Sequence, residues 1–282
     1  MTESQCGGKM SSYLLGTESI NPASTAVDLE QVEPFGYLDA YDEFVRGSWR
    51  TCMLWNASGD SADVQLCDYA GPAQPTEYGR RTGYFATVIR SLFDMTALRF
   101  ARLTRLGPGS VVVPHRDYLE LESNLVRIHL PLVTTDRAYV SEIDTIYRMR
   151  VGEVWFLDAT QVHSIANFSD ISRVHLLLDF AASDPWAIYH GNRPATVGIP
   201  ADSLVPRRPL RSGEPEAFIE LARLVDGTNL MDVLAMLIRR YFLAELSVLD
   251  VFGWLRAIAE QSGDPDVVCQ ADWIRAHSLT VR

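Results

Sequence analysis

Between Leu98 and Phe180 the chain reads as short apolar runs rich in Val, Ile, Leu, Phe and Tyr. They are broken at Gly107-Pro108-Gly109, Thr134-Thr135-Asp136-Arg137, Gly152 and Ser169-Asp170. Short strands at this spacing predict a β-sandwich or barrel. Two segments alternate cleanly. In Ser172–Phe180, Val174, Leu176, Leu178 and Phe180 share one face, while Arg173, His175, Leu177 and Asp179 share the other. In Leu125–Leu130, Val126, Ile128 and Leu130 oppose Leu125, Arg127 and His129. Side chains alternate faces along a strand. A solvated outer face would explain either strand alone, but the repeat of cationic groups predicts a barrel with a polar, anion-binding interior.

Elsewhere the period is helical. Tyr84, Val88 and Leu92 form one stripe, predicting a helix from Pro75 to Phe93. Met1 to Asp28 is rich in small polar residues and reads as a loose start with one short strand at Ser12–Leu15. Beyond Pro185, prolines at 194, 200, 206, 209 and 215 mark loop. Ala217–Val225, Leu230–Leu243, Val248–Glu260 and Asp266–His277 then show helical spacing, with Gly263-Asp264-Pro265 ending the third. The expected organisation is an N-terminal extension (1–34), a β-rich body (35–190) and a small helical C-terminal domain (207–282).

Composition narrows the function classes. The 282 residues carry 25 basic and 36 acidic side chains, a formal charge of −11, so an anionic nucleic acid or membrane surface is not the expected partner. No apolar run approaches the roughly 20 residues of a membrane span. The first residues lack the basic and apolar regions of an export signal. Cys6, Cys52, Cys67 and Cys269 lie far apart, as reduced thiols of a cytoplasmic protein would.

The chemistry concentrates in the β-rich stretch. Val111–Pro114 runs into His115-Arg116-Asp117, and in a strand residues 115 and 117 face one point. After Gly152–Asp158 comes a second histidine, His163. Two imidazoles and one carboxylate on one side of a metal form the facial triad of non-haem Fe(II) oxygenases. With six histidines and many aspartates in the chain, the spacing alone leaves a blander account standing. In that account His115 is a satisfied residue at a strand end and His163 a turn residue. Arg173, ten residues past His163 across the Ser169-Asp170 turn, is placed on the neighbouring strand. There its guanidinium could grip a carboxylate bidentately. Trp155 and Phe156 read as core, and Glu120 and Glu122 as a solvated loop.

Four motifs taken together, V-V-V-P-H-R-D-Y-L-E-L-E, V-R-I-H-L, G-E-V-W-F-L-D-A-T-Q-V-H-S and S-R-V-H-L-L-L-D-F, resemble the bacterial proline cis-hydroxylases. More distantly they resemble the aspartyl/asparaginyl β-hydroxylase group. The resemblance extends upstream to Tyr41–Phe44, Trp49 and Asn56–Gly59, and downstream through the helical tail. It implies a mainly β protein, a double-stranded β-helix (jelly roll) core with a small α-helical C-terminal domain. The implied activity is Fe(II)/2-oxoglutarate-dependent hydroxylation of a free amino acid, with O2 as cosubstrate and ascorbate as an activator in vitro. By motif position His115, Asp117 and His163 would hold iron, and Arg173 the distal carboxylate of 2-oxoglutarate, with His129 approaching it. Arg102 and Arg127 would lie near the substrate carboxylate, Arg127 near either that group or the 2-oxo acid. Arg105 has the opposite parity. Asp117 favours hydroxylation, since related halogenases carry a small residue there. Cys52-Met53-Leu54-Trp55 departs from the family pattern. L-Proline therefore leads, while pipecolate, leucine, lysine or a protein side chain remain alternatives, as does a non-catalytic jelly roll binding a metal and a dicarboxylate. The expected partner is a small-molecule amino acid, with a homodimer open, and neither nucleic acid nor membrane.

Overall fold

In the computed structural model the described residues are 11–33, 38–39, 45–117 and 125–279. Two antiparallel sheets face one another. The larger contains β1 (Tyr13–Thr17), β2 (Leu38–Asp39), β4 (Trp49–Asn56), β6 (Leu98–Leu106), β8 (Leu125–Val133), β11 (Glu153–Leu157) and β13 (Arg173–Ala181). Its order is β1-β11-β8-β13-β6-β4-β2, with β5 (Gln74–Pro75) added on β4. The smaller, ordered β10-β9-β12-β7-β3, contains β3 (Val45–Arg46), β7 (Val111–His115), β9 (Ala138–Glu142), β10 (Thr145–Tyr147) and β12 (His163–Asn167). From β6 to β13 the chain passes back and forth between the sheets, with the β9–β10 hairpin staying in the smaller one, as in a jelly roll. This is the double-stranded β-helix, with helices following it.

Each sheet buries its outer face under helices. Ala101, Leu103, Val126, Ile128, Leu130, Val174, Leu176, Leu178 and Phe180 form one apolar cluster with residues of α1 (Pro22–Val32) and α3 (Gly83–Leu92). Val111, Val113 and Ala166 of the smaller sheet join a second cluster. It is shared with α6 (Leu230–Leu243), α7 (Val248–Ser262) and α8 (Pro265–Leu279). Among the described residues the apolar clusters between the sheets are smaller: Val45, Leu106, Val112 and Ile165 in one place, and Val140, Tyr147, Met149, Trp155 and Leu157 in another. The main hydrophobic mass therefore lies outside the barrel.

Local chemistry explains where the elements differ from expectation. From Ser11 on, the stretch expected to be loose forms elements: β1 pairs with β11, and α1 begins at Pro22 behind an Asn21 cap whose side chain accepts from the Ser24 N–H at 3.0 Å. A prolyl ring at the first helical position and an Asx cap are helix-start signals that the small-residue composition outweighed. The helix expected over 75–93 is two, α2 (Glu77–Arg81) and α3, broken where Thr82 leaves helical conformation at φ −92°, ψ 71°. Thr82 gives α3 no side-chain cap, and the buried Asp28 carboxylate of α1 supplies one instead, accepting from the Phe85 N–H at 2.8 Å. Gly79 lets α2 lie against β4, since a Cβ there would meet the Leu54 carbonyl oxygen at 2.1 Å. In the tail, Leu230–Leu243 forms as expected, and Gly263 in the left-handed conformation ends α7. The segment expected over 217–225 divides into α5 (Glu214–Ile219) and a 3-10 turn at Glu220–Arg223. A further short helix, α4, spans Pro185–Ile188. No helix among the described residues is long and apolar enough to cross a membrane.

The N-terminal strand is tied beside the barrel mouth. The Ser11 and Ser12 N–H groups donate to the buried Glu142 carboxylate at 2.7 and 3.1 Å, and Glu142 pairs in register with His163.

Candidate active site

His115 ends β7 and His163 opens β12, and the two are directly opposite in register. Their ring centroids lie 4.5 Å apart. Asp117 follows β7 and is fixed by its N–H, which donates to the Ala159 carbonyl at 2.8 Å. Its Oδ1 is 3.3 Å from His115 Nε2 and its Oδ2 3.7 Å from His163 Nε2. Candidate ligand atoms of the three residues all fall within 4.8 Å of one another.

The ring orientations decide between a metal triad and a chance cluster. His115 Nδ1 lies 2.7 Å from the Val113 carbonyl oxygen, and His163 Nδ1 3.0 Å from that of Gln161. A carbonyl only accepts, so each Nδ1 carries the proton and each Nε2 presents its lone pair toward Asp117. Burial pushes His115 down to about 4, with Arg127 acting in the same direction. It pushes His163 well below the ordinary histidine value, assisted by His115. Neutral imidazoles beside a carboxylate are a donor set fit for a divalent transition metal.

Behind the triad, the inner face of the larger sheet is polar and buried. On β13, Asp179 is 0% exposed. Arg127 of β8 grips it with two N–H groups, Nε to Oδ1 at 2.8 Å and Nη2 to Oδ2 at 3.4 Å. The third corner of the same guanidinium, Nη1, donates to Asp117 Oδ2. From β6 on the other side, Arg102 Nη2 lies 3.6 Å from Asp179 Oδ2. Arg105, of opposite parity, pairs with Glu33 instead.

Further along β13, Arg173 is 2% exposed and no carboxylate among the described residues forms an ion pair with it. Its Nη2 reaches His175 Nδ1 at 2.8 Å and its Nη1 has no partner. Burial lowers its guanidinium to about 9, with Tyr147 opposing, which leaves it charged at neutral pH. His129, opposite Leu177 on β8, has no hydrogen-bond partner at either ring nitrogen. Burial and then the Arg173 charge hold it well below the usual histidine range. A buried cation next to an unsatisfied imidazole lacks an anion with hydrogen-bonding oxygens. A dicarboxylate fits that deficit.

Arg173 does not sit on the strand neighbouring His163. After β12 the chain crosses to the opposite sheet, where β13 pairs with β6 and β8. Asn167 braces the crossing by donating to the carbonyls of Leu106, Gly107 and Ile171. The partnership of Asp179 with the arginines, and that of His175 with Arg173, went unassigned from sequence. The alternation in Ser172–Phe180 had placed both residues on the right face. Of the departing stretch Cys52–Trp55, Cys52, Leu54 and Trp55 pack into the outer cluster. Met53, fully buried, opposes Arg102 in register on the inner face. Tyr41–Phe44, Glu120 and Glu122 lie outside the described residues.

A jelly roll that holds a His-Asp-His triad on one sheet and, on the other, a buried arginine paired by no acid of the described residues places the molecule among the 2-oxoglutarate-dependent non-haem iron dioxygenases. Residues 23–183 match the family model described as aspartyl/asparaginyl β-hydroxylase, and residues 185–282 match that of the L-proline 3-hydroxylase C-terminal region. The chain belongs to the aspartyl/asparaginyl β-hydroxylase family. It is 34% identical over 280 residues to L-proline cis-3-hydroxylase 2 of a Streptomyces species, covering 97% of this chain and 96% of that one. It is 30% identical over 261 residues to L-proline cis-4-hydroxylase of Rhizobium meliloti (strain 1021), covering 92% of each. A solved Pseudomonas putida prolyl-4-hydroxylase is similar at 12% identity and a TM-score of 0.39, over 61% of this chain and 93% of that one. That likeness is too slight to add to the assignment.

Proposed function

We propose that the protein hydroxylates an unactivated C–H bond of a free L-amino acid, L-proline first, coupled to decarboxylation of 2-oxoglutarate to succinate and carbon dioxide. The observation that carries this reading is Arg173, a buried guanidinium with an unpartnered donor on the sheet facing the triad. His115, Asp117 and His163 would hold Fe(II). When bound, iron and 2-oxoglutarate supply the activation of dioxygen, chemistry that no side chain here offers. Arg173 would take the far carboxylate of 2-oxoglutarate, with His129 beside it. Arg102 and Arg127, on the strands flanking Asp179, would receive the amino-acid carboxylate, and Met53 would wall the pocket next to Arg102. The sheets themselves exclude water from the inner face, which strengthens each of these charge contacts. The names of the two relatives support a proline-type substrate. A pure dicarboxylate binder would not need an open-sided triad.

The test is mass spectrometry of the twenty amino acids plus pipecolate, each incubated with the protein, Fe(II), ascorbate, O2 and 2-oxoglutarate. L-Proline should gain one oxygen, with succinate formed in step, and L-prolinamide should not react. Equal reaction of the amide would remove the carboxylate clamp and favour a peptide-embedded substrate. A gain of oxygen on an open-chain amino acid instead of proline would replace L-proline as the substrate.

A further inference from the structure

We propose that Asp179 is a positioning residue for the metal centre, acting through Arg127 on Asp117; this rests on the reading of His115, Asp117 and His163 as the metal-holding set. Asp179 sits on β13, in the other sheet from His115 and His163, yet it is the carboxylate that fixes the group reaching Asp117. Arg127 Nε and Nη2 both engage Asp179, at 2.8 and 3.4 Å, which orients the planar guanidinium and aims Nη1 at Asp117 Oδ2. That contact engages Oδ2 and leaves Oδ1, 3.3 Å from His115 Nε2, facing that imidazole's lone pair. A forked guanidinium held at two corners has little rotational freedom at the third.

Charge points the same way. Arg127 and Arg102 bring two cations onto one buried face beside a site built for a third, the metal ion. Asp179, 0% exposed and between them in the strand order, is the anion that offsets them. In low dielectric such neighbours act strongly, so an uncharged residue at 179 would both free the Arg127 fork and leave the metal facing uncompensated positive charge.

The test is calorimetric titration of Mn(II) into the full chain. Loss of an outer partner of a metal ligand weakens metal binding by about 10–100-fold, and D179N should raise the Mn(II) Kd by that factor. R127K keeps the charge but cannot fork, so it should weaken Mn(II) binding likewise. It decides the matter if D179N does not fold. The double variant should lose less than the two single losses combined, because the singles share one contact. A wild-type Kd in D179N or R127K, a fall in Tm without change in Kd, or additive losses in the double variant would each overturn the proposal. His163→Ala separates the two readings. If it leaves Mn(II) binding untouched, the metal site itself is wrong and the inference falls with it. If it abolishes binding while D179N does not weaken it, only the role of Asp179 fails.

Discussion

Two groups of buried arginines share the inner face of the larger sheet and have opposite electrostatic circumstances. Arg127 and Arg102 surround Asp179, and Arg127 reaches Asp117 as well, so their charge is answered within the protein. Arg173, on the same face of β13, has a histidine for a neighbour and a donor with no acceptor. Burial of an ion costs several kcal/mol unless it is paired. The first group is thus held in place by acids of the chain itself, ready in position before any substrate carboxylate arrives, whereas the second is a deficit that a ligand would complete. What separates the two groups is whether the chain supplies a standing counter-ion.

The widest test of that contrast removes the centre both groups serve. His115→Ala, Asp117→Ala and His163→Ala should each abolish turnover and metal uptake while circular dichroism stays near that of the parent. Full activity in any one would take that residue out of the ligand set. Next, Arg173→Ala should raise the requirement for 2-oxoglutarate far more than that for the amino acid. Stranding a buried carboxylate costs on the order of 2–5 kcal/mol, and steady-state kinetics with each substrate varied in turn would measure the split. A third experiment asks for opposite signs. In the ligand-free protein, Arg127→Met should lower Tm, because it takes from the buried Asp179 its two-pronged partner and leaves it the longer Arg102 contact at 3.6 Å. Arg173→Met should raise Tm, since it removes an unpaired ion. Shifts of the same sign would erase the distinction. The smallest effect is in acid. Burial holds His115 at about 4 against an ordinary 6.5, and His129, His163 and His175 well below their usual value. The unfolded chain therefore binds more protons below about 6.5, and stability of the metal-free protein should fall from there toward pH 4. His129→Gln should flatten that slope in thermal melts taken across the range.

Much of this was legible in the chain because it is local. The alternation of Ser172–Phe180 gave the buried polar face of β13, and the two-residue spacing of His115 and Asp117 gave the shared aim. Leu230–Leu243 carried its helix in its own periodicity. The unread parts are set by partners distant in sequence. Nothing near residue 179 says that β8 will present Arg127 to it at a separation of 52 residues, because register between strands is a long-range property. The break at Thr82 likewise depends on Asp28, 57 residues before the amide it accepts from. The Ser169-Asp170 turn looked like a hairpin because a sequence marks a change of direction without naming the sheet that receives the chain.

Helices cover the outside of both sheets, and that arrangement bears on how such a protein can change over generations. Most of the apolar burial that drives folding is settled between sheet and helix, away from the cavity. Replacing an inner-face residue such as Met53 then alters the face that also carries Arg102 without opening a void in the mass that keeps the chain folded. A scaffold that separates what it folds with from what it binds with can acquire new specificities by single steps, each intermediate still folded and still visible to selection.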